Sequence, residues 1–250
     1  MSRTRIGVNR SPAFAGLLLL LIVLAGGWFL ANQYLRPLPE VAATPRIEAE
    51  RTLGEAPALP WPTKGGAAVW MDGFGYLGIH GDETPRPIAS TAKIMTALLV
   101  LEDHPLALGQ PGPEVTITPQ DVADYQKAVR EDQSVVPVRA GDKLTELQLL
   151  QGLLLPSGNN IADVMAKWDG GTKEAFIAKM NAKAAALGMT RTHYDDASGF
   201  SPKTVSTPAD LVIVGSRAMT DPVFRQTVAM AQITLPSVGV VKNVNSILGK

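Results

Sequence analysis

An uncharged, strongly apolar segment near the amino terminus limits the structures that this chain can form more than any other feature of its sequence. No charged residue occurs from Ala13 to Ala31. A helix of that length rises about 28 Å, close to the roughly 30 Å thickness of a bilayer's hydrocarbon core. We therefore expect residues 13–35 to form a membrane-spanning helix that precedes the globular part of the chain.

The residues around this segment predict its orientation. Basic residues precede it and aromatic residues lie near its far end, namely Arg3, Arg5, Arg10, Trp28 and Tyr34. By the positive-inside rule and the aromatic belt, we expect residues 1–12 in the cytoplasm and the remainder of the chain outside the cell membrane. The alternative is a cleaved signal peptide, whose apolar region usually runs about 7–15 residues. We favour an uncleaved anchor, because this segment is longer and the one plausible cleavage site, Val41-Ala42-Ala43, lies too far downstream.

Prolines recur among short and polar residues in the next stretch, residues 36–63. Such a composition favours an extended, semi-rigid tether over packed structure. The character of the sequence then changes, and we expect residues 64–250 to form one globular domain. With 46% hydrophobic and 18% charged residues, the chain can bury a substantial core.

The balance of ionisable residues excludes several classes of function. The chain has 23 lysine and arginine residues and 23 aspartate and glutamate residues. It therefore has no net positive charge that would attract nucleic acid. The chain has no cysteine, which excludes disulfides, zinc thiolate sites and thiol nucleophiles. His80, His104 and His193 lack metal-ligand spacing. We predict no metal, no cofactor and no nucleic-acid partner.

Local patterns predict the order of elements in the domain. Ala67–Met71 and Tyr76–His80 are predicted to form a hairpin about a turn at residues 72–75. The stretch from Pro111 to Gly141 alternates turn formers with short apolar runs and is predicted to be irregular. Helices are predicted from near Ser90, from Thr145 to Leu154, and at Ile161–Trp168, Lys173–Leu187 and Pro208–Met219. The core is expected to include Trp70, Trp168, Met71, Met95, Met165, Met180 and Met189.

A serine and a lysine are set three residues apart at the start of the first of these helices. This spacing puts Ser90 and Lys93 on one helix face, so the amine can reach the hydroxyl. A serine hydroxyl is a poor nucleophile unless a neighbouring base takes its proton, and a lysine can do so when burial lowers its pKa. Ser90 is the candidate nucleophile and Lys93 the candidate base.

A second polar triplet, Ser157-Gly158-Asn159, interrupts two apolar helices. A serine and an asparagine at such a break could point into the cleft that Ser90 faces, although a helix C-cap followed by an N-cap would have the same residues. The triplet becomes specific in combination with the first motif.

These motifs together resemble those of the low-molecular-mass penicillin-binding proteins, the D-alanyl-D-alanine carboxypeptidases. The resemblance runs from about Ala67 to the last residue and includes the segments Gly188–Tyr194, Asp196–Phe200 and Ser206–Leu211. It implies a mixed α/β fold of the β-lactamase and DD-peptidase type, with a helical cluster packed on an antiparallel sheet and the active site at their junction. Within this fold we assign Asp195 and Asp196 to a turn rather than to chemistry.

The resemblance also implies residue roles. Ser90 would attack the carbonyl between the two terminal D-alanines of a peptidoglycan stem peptide, and Lys93 would accept its proton. Ser157 would relay a proton to the leaving amine, and Asn159 would bind the substrate backbone. The amide of Ser90 would supply half of the oxyanion hole. β-Lactam antibiotics would acylate the same serine.

One family motif, Lys-Thr-Gly on an inner strand, has no counterpart before Lys250. Lys203-Thr204-Val205 lacks the glycine and precedes a different family segment. That strand would bind the substrate carboxylate and provide the second oxyanion donor, whose loss costs about 2.7–4 kcal/mol. We expect the chain to be a fragment of a longer enzyme, with the carboxy-terminal strands of its sheet missing and with little turnover of its own.

Two further functions remain open at this stage. A D,D-endopeptidase would use the same residues on cross-linked peptidoglycan, and a membrane-tethered protein could bind muropeptides or penicillin without catalysis. A class A β-lactamase is disfavoured because Gly158 stands where those enzymes carry aspartate. A Ser-His-Asp hydrolase is disfavoured because no Gly-x-Ser-x-Gly elbow is present.

Overall fold

A computed structural model describes residues 12–36 and 58–249. The chain divides into two units, residues 1–55 and residues 56–250. In the first, helix α1 spans Pro12–Tyr34, and its side chains from Gly16 onward are exposed. Its segment Gly16–Tyr34 has a mean hydropathy of 1.8 and is the one candidate membrane span among the described residues. Residues 1–11 of the predicted cytoplasmic segment and residues 37–57 of the predicted tether fall outside those residues. At the described end of the tether, Trp61 stacks on His80 with 5.5 Å between ring centroids, so this end packs on the domain.

The second unit opens with the predicted hairpin. Strand β1 (Ala67–Met71) pairs antiparallel with β2 (Gly75–His80), with a bulge between Val69 and Trp70. Within the described part of the chain, no third strand joins this pair. The expectation that Trp70 and Met71 lie in the core was wrong: they are 38% and 48% exposed, because β1 ends on a two-stranded sheet that covers neither side chain fully.

The centre of the domain is helix α2 (Lys93–Asp103), which is buried along most of its length. It packs against α4 (Glu146–Leu154), α5 (Asn159–Gly170), α6 (Lys173–Ala186) and α7 (Pro208–Ala218). Met95, Met165, Met180 and Met189 fill this core as expected, each at most 1% exposed. Burying one such side chain contributes about 1.5–3 kcal/mol. Trp168 packs at the edge of the core and stacks on His104 with 4.1 Å between ring centroids.

The helix boundaries agree with the local signals in the sequence. Thr145 begins α4 with a capping box that Gln148 completes, and Thr207 caps α7 by accepting from the amide of Asp210. Gly188, at φ +77°, follows the end of α6. A left-handed residue at that position is the usual end of a helix.

The prediction that Pro111–Gly141 is irregular was wrong over its middle. Helix α3 spans Pro119–Arg130 and begins with a capping box, in which Thr118 and Asp121 bond reciprocally. Its helical face contributes few large apolar residues, so apolar periodicity alone does not detect it. Two more features were not predicted: helix α8 (Pro222–Val228) and the hairpin of β7 (Gln232–Leu235) with β8 (Gly239–Lys242).

The described residues contain only two-stranded sheets. Besides the two hairpins, β3 (Arg86–Pro87) pairs with β6 (Val205–Ser206), and β4 (Glu114–Thr116) pairs with β5 (Lys143–Thr145). The β3 to β6 pairing brings residues 193–206 beside the start of the central helix. The candidate active site is built around that junction.

Candidate active site

Ser90 and Lys93 lie together at the entrance of α2. A 3-10 turn, Ala89–Ala92, leads directly into the α-helix at Lys93. Because residues i and i+3 eclipse in a 3-10 turn, the two side chains come out on the same side. Lys93 Nζ lies 2.9 Å from Ser90 Oγ. Ser90 is exposed whereas Lys93 is 2% exposed, so the hydroxyl faces the cleft and the amine lies behind it.

A tight backbone contact fixes the start of this turn. Ala89 has φ +48°, and its carbonyl oxygen faces the Cα of Gly199. A Cβ at Gly199 would lie 1.7 Å from that oxygen, so only glycine fits there. Gly199 itself has φ +79°. The two segments that flank the candidate nucleophile therefore pack backbone to backbone.

Lys93 Nζ has three hydrogen-bond partners, as many as an ammonium group has hydrogens. Besides Ser90 Oγ, it donates to Asn159 Oδ1 at 2.6 Å and to the Ser198 carbonyl oxygen at 2.9 Å. The last two oxygens can only accept. When the amine is neutral, its two hydrogens satisfy them and its lone pair is left for the third direction, toward Ser90 Oγ. The geometry therefore directs the basic electron pair of Lys93 at the hydroxyl.

The surroundings of Lys93 also increase the fraction of molecules in which its amine is neutral. Burial lowers the pKa of Lys93 to about 8, although the carboxylates of Asp196 and Asp163 act in the opposite direction. At pH 7 a group with that pKa is neutral in about a tenth of the molecules, far more than an ordinary lysine. Lys93 can therefore act as a base near neutral pH.

Asn159 is held in the site from both sides. It is the first residue of α5, and its backbone amide donates to the Ser134 carbonyl at 2.8 Å. Its side-chain Nδ2 donates to Gln133 Oε1 at 2.8 Å, while Oδ1 accepts from Lys93. The neighbouring Asn160 is 3% exposed and bonds both the amide and the carbonyl of one backbone residue, Val136.

Ser157 reaches neither Ser90 nor Lys93 by a hydrogen bond. It has φ +63°, which is strained for a residue with a Cβ. Its Oγ is buried and has no hydrogen-bond partner among residues 12–36 and 58–249. A buried hydroxyl without a partner costs about 1–3 kcal/mol. Of the two polar residues of the triplet, Asn159 and not Ser157 contacts the candidate base.

The loop Asp196–Phe200 forms one wall of the site. Its Ser198 carbonyl accepts from Lys93, and Thr96 Oγ1 donates to the Ala197 carbonyl at 2.7 Å. The Asp196 carboxylate accepts from Ser198 Oγ at 2.6 Å and from the Phe200 amide at 2.8 Å. Burial raises the pKa of Asp196, but hydrogen bonds from Ser198 and Thr204 outweigh it and hold the pKa below its usual value. Asp196 thus organises the turn, the role that the sequence indicated for it.

Two residues of the site were not found from the sequence. Ser198 contributes through its backbone, for which the sequence gives no signal beyond its place in a resembling segment. Gln133 lies just past the end of α3, a helix that was not predicted. A cavity of about 370 Å³ borders this region and is lined by Gln133, Asn159, Ser198 and charged residues including Asp163 and Lys173. Within the part of the chain that the structure describes, no three acidic or histidine side chains cluster as metal ligands do.

Comparison with known proteins identifies relatives for most of the domain. The family described as D-alanyl-D-alanine carboxypeptidase matches residues 77–243. A D-alanyl-D-alanine carboxypeptidase of Mycobacterium tuberculosis, DacB2, is 36% identical over 196 residues, covering 76% of this chain and 62% of the relative. One from a Streptomyces species is 36% identical over 215 residues, covering 81% of this chain and 72% of the relative. The chain thus spans less than two thirds of the mycobacterial relative.

The fold is also similar to solved structures. The crystal structure of a D-alanyl-D-alanine carboxypeptidase from Mycobacterium tuberculosis superposes with a TM-score of 0.65 at 32% identity. The match covers 79% of this chain and 73% of that one. The mixed α/β architecture inferred from the motifs is confirmed at this level.

Proposed function

This chain belongs to the D-alanyl-D-alanine carboxypeptidase family, and from that membership we propose that it is a serine-type carboxypeptidase acting on peptidoglycan stem peptides. The observation that carries the proposal is the 2.9 Å contact between Lys93 Nζ and Ser90 Oγ, together with the two acceptors that engage the other hydrogens of Nζ, Asn159 Oδ1 and the Ser198 carbonyl. An exposed hydroxyl next to a buried amine supports the proposed roles of Ser90 as nucleophile and Lys93 as base.

In the proposed reaction, Ser90 Oγ attacks the carbonyl carbon between the two terminal D-alanines while Lys93 Nζ takes the hydroxyl proton. The tetrahedral intermediate collapses, the C–N bond breaks, and the leaving D-alanine amine receives a proton. Water then attacks the ester carbonyl and releases Ser90. Protonated Lys93 is stabilised during acylation by the Asn159 and Ser198 oxygens, which accept two of its three protons.

Three groups are proposed to assist this chemistry. The backbone amide of Ser90, at the start of the 3-10 turn and α2, supplies an oxyanion donor. The unpartnered Ser157 Oγ relays the proton between Lys93 and the leaving amine once substrate fills the cleft. Asn159 uses the second hydrogen of Nδ2 to bind the substrate backbone, because the first is donated to Gln133.

β-Lactam antibiotics are proposed as inhibitors that acylate the same hydroxyl, since their strained amide presents a carbonyl to Ser90. A D,D-endopeptidase would use the same residues on a larger leaving group. Monomeric pentapeptide and cross-linked dimer distinguish the two activities, and we expect faster product release from the pentapeptide.

The proposed location is the outer side of the cell membrane. Helix α1 is apolar on all sides and long enough to span a bilayer. With Arg3, Arg5 and Arg10 before it, residues 1–12 are proposed to stay in the cytoplasm, and residues 13–35 to act as the anchor. Residues 36–63 then form the tether and residues 64–250 the peptidase domain, close to the substrate.

The test is release of D-alanine from a pentapeptide by the full chain in detergent. We expect slow but measurable release by the wild type, in keeping with the little turnover expected from its sequence, and none above background by Ser90→Ala, whose fold is checked by its melting temperature. Equal release by both proteins would refute the assignment of the nucleophile. Covalent labelling by fluorescent penicillin without any release of D-alanine would instead support a protein that binds but does not turn over.

A further inference from the structure

Three successive side-chain hydrogen bonds lead from Glu131 to the candidate base, Lys93. Glu131 Oε2 accepts from Gln133 Nε2 at 2.7 Å, Gln133 Oε1 accepts from Asn159 Nδ2 at 2.8 Å, and Asn159 Oδ1 accepts from Lys93 Nζ at 2.6 Å. An ionised carboxylate can only accept, so it faces the NH₂ end of Gln133. Gln133 must then present its oxygen to Asn159, and Asn159 must present its oxygen to Lys93. Each contact thus sets the direction of the next.

The end of α3 places Gln133 in this series of hydrogen bonds. The Gln133 amide bonds the Ala128 carbonyl and the Asp132 amide bonds the Val129 carbonyl, with Asp132 at φ +53°. This pair of bonds around a left-handed residue is a Schellman motif, which ends a helix in a defined geometry. Gln133 is half-buried beside the cavity, and its side chain points to Asn159.

The direction of the Asn159 amide matters because an amide can present either of its two ends. If Asn159 turned over, Nδ2 would face Lys93 Nζ and donate into the lone pair of the neutral amine. That lone pair would no longer be free to take the proton of Ser90. The Ser198 carbonyl cannot prevent this turn, because it bonds a different direction of Nζ.

We propose that Gln133 is a positioning residue that locks the Asn159 amide with its oxygen toward Lys93 and so reserves the lone pair of Lys93 for Ser90. This inference rests on the proposed function, since it assigns a role within the same site. The charged groups that act on Lys93 are the carboxylates of Asp196 and Asp163, which Gln133 leaves in place.

The experiment titrates Lys93 by NMR in the full chain, in detergent micelles with ¹³C-labelled lysine, the signal being assigned by its loss in Lys93→Arg. In Gln133→Met the Asn159 amide can turn, the ammonium loses an acceptor, and we expect the pKa of Lys93 to fall by about one pH unit. Because Glu131 Oε2 lies 2.7 Å from Gln133 Nε2, the second variant exchanges the two groups and combines Glu131→Gln with Gln133→Glu. It keeps an acceptor for Nδ2 and moves the negative charge nearer to Lys93, so the pKa of Lys93 should rise.

Acylation by fluorescent penicillin is measured on the same proteins. Gln133→Met should be acylated about tenfold more slowly despite the larger neutral fraction of its lysine, because the lone pair is engaged. The exchanged pair, Glu131→Gln with Gln133→Glu, should recover to within about threefold of the wild type above its raised pKa. Gln120→Met, the same change at the other end of α3 where Gln120 is exposed, should match the wild type in both measurements.

A simple loss of structure would lower the melting temperature and would not move the pKa of Lys93 in opposite directions in the two Gln133 variants. The proposal is overturned if the pKa is unchanged in Gln133→Met, if both variants shift it in the same direction, or if Gln133→Met is acylated at the wild-type rate. A wild type that is never acylated would refute the proposed function, and the NMR titration would still decide the role of Gln133.

Discussion

The Thr96 hydroxyl donates to the Ala197 carbonyl at 2.7 Å, one turn of α2 beyond the contact between Lys93 and Ser198. Two successive turns of the central helix therefore hold the Asp196–Phe200 loop. Both Thr96 and Ala197 are buried, so neither partner can exchange this bond for water.

Removing this hydroxyl should loosen the loop. Thr96→Val keeps the shape of the side chain but leaves the Ala197 carbonyl unsatisfied, and we expect the free energy of unfolding to fall by about 1–3 kcal/mol. Chemical denaturation of the full chain in detergent measures it. The same change at the exposed Thr190 serves as the control and should alter the free energy by less than about 0.5 kcal/mol. Equal effects at the two positions would contradict the importance of the Thr96 bond.

Gly199→Ala should damage the site sterically. A Cβ there would meet the Ala89 carbonyl oxygen at 1.7 Å, so the turn carrying Ser90 must move. We expect acylation by fluorescent penicillin to slow by at least about tenfold.

Gly171→Ala is the control that distinguishes the steric clash at Gly199 from the cost of placing alanine at a positive φ. Gly171 also has positive φ, +74°, but a Cβ there would meet nothing within 4 Å. Its replacement should lower the free energy of unfolding by about 1 kcal/mol and leave acylation unchanged. If both alanine variants are acylated like the wild type, the close approach of Gly199 to Ala89 has no functional role.

The contrast between local and long-range features explains what the sequence could predict. Ser90 and Lys93 were found because three residues of spacing determine their proximity, whether the turn is α or 3-10. The hairpin and four of the later helices likewise follow from short-range patterns. The contact of Lys93 with Asn159 joins residues 66 positions apart, and only the resemblance brought their two motifs together.

Other features depended on tertiary structure that local patterns do not encode. Gln133 reaches the site because α3 ends where it does, and α3 has a capping box but only a weak apolar pattern. Trp70 looks like a core residue by composition, yet its strand belongs to a two-stranded sheet and the side chain stays 38% exposed. The exposure of Trp70 and the presence of α3 both depend on how the elements pack together, which the propensities of single residues do not determine.

Glu146 should make stability fall as the pH rises. Its side chain is 0% exposed, and neither carboxylate oxygen has a hydrogen-bond partner among the described residues. Burial raises the pKa of Glu146 to about 7. The folded state therefore binds more protons than the unfolded state between the ordinary pKa of glutamate and about 7, and stability is lost across that window as the pH rises.

Glu146→Gln should remove this dependence. At pH 8 we expect the variant to exceed the wild type by about 1–3 kcal/mol in free energy of unfolding, with no advantage at pH 4. Glu174, exposed in the first turn of α6, provides the matched control, and Glu174→Gln should leave the pH dependence as it is. A variant at position 146 with the same pH profile as the wild type would mean that the carboxylate finds partners in solution.

Acylation should rise with pH. The reactive form has neutral Lys93, and burial lowers the pKa of that amine to about 8. The second-order rate constant for penicillin should therefore increase through a midpoint near pH 8 and level off above it. Lys93→Arg, which stays protonated, should be acylated at least about a thousandfold more slowly. A midpoint near pH 10 would indicate an exposed lysine and contradict the buried position of Nζ.

The most direct measurement is mass spectrometry of the full chain after reaction with benzylpenicillin, with digestion to locate the adduct. We predict a stoichiometric covalent adduct on Ser90 that is absent in Ser90→Ala. An adduct on another residue, or an unmodified Ser90 in a correctly folded protein, would contradict the pairing of this hydroxyl with Lys93 as nucleophile and base.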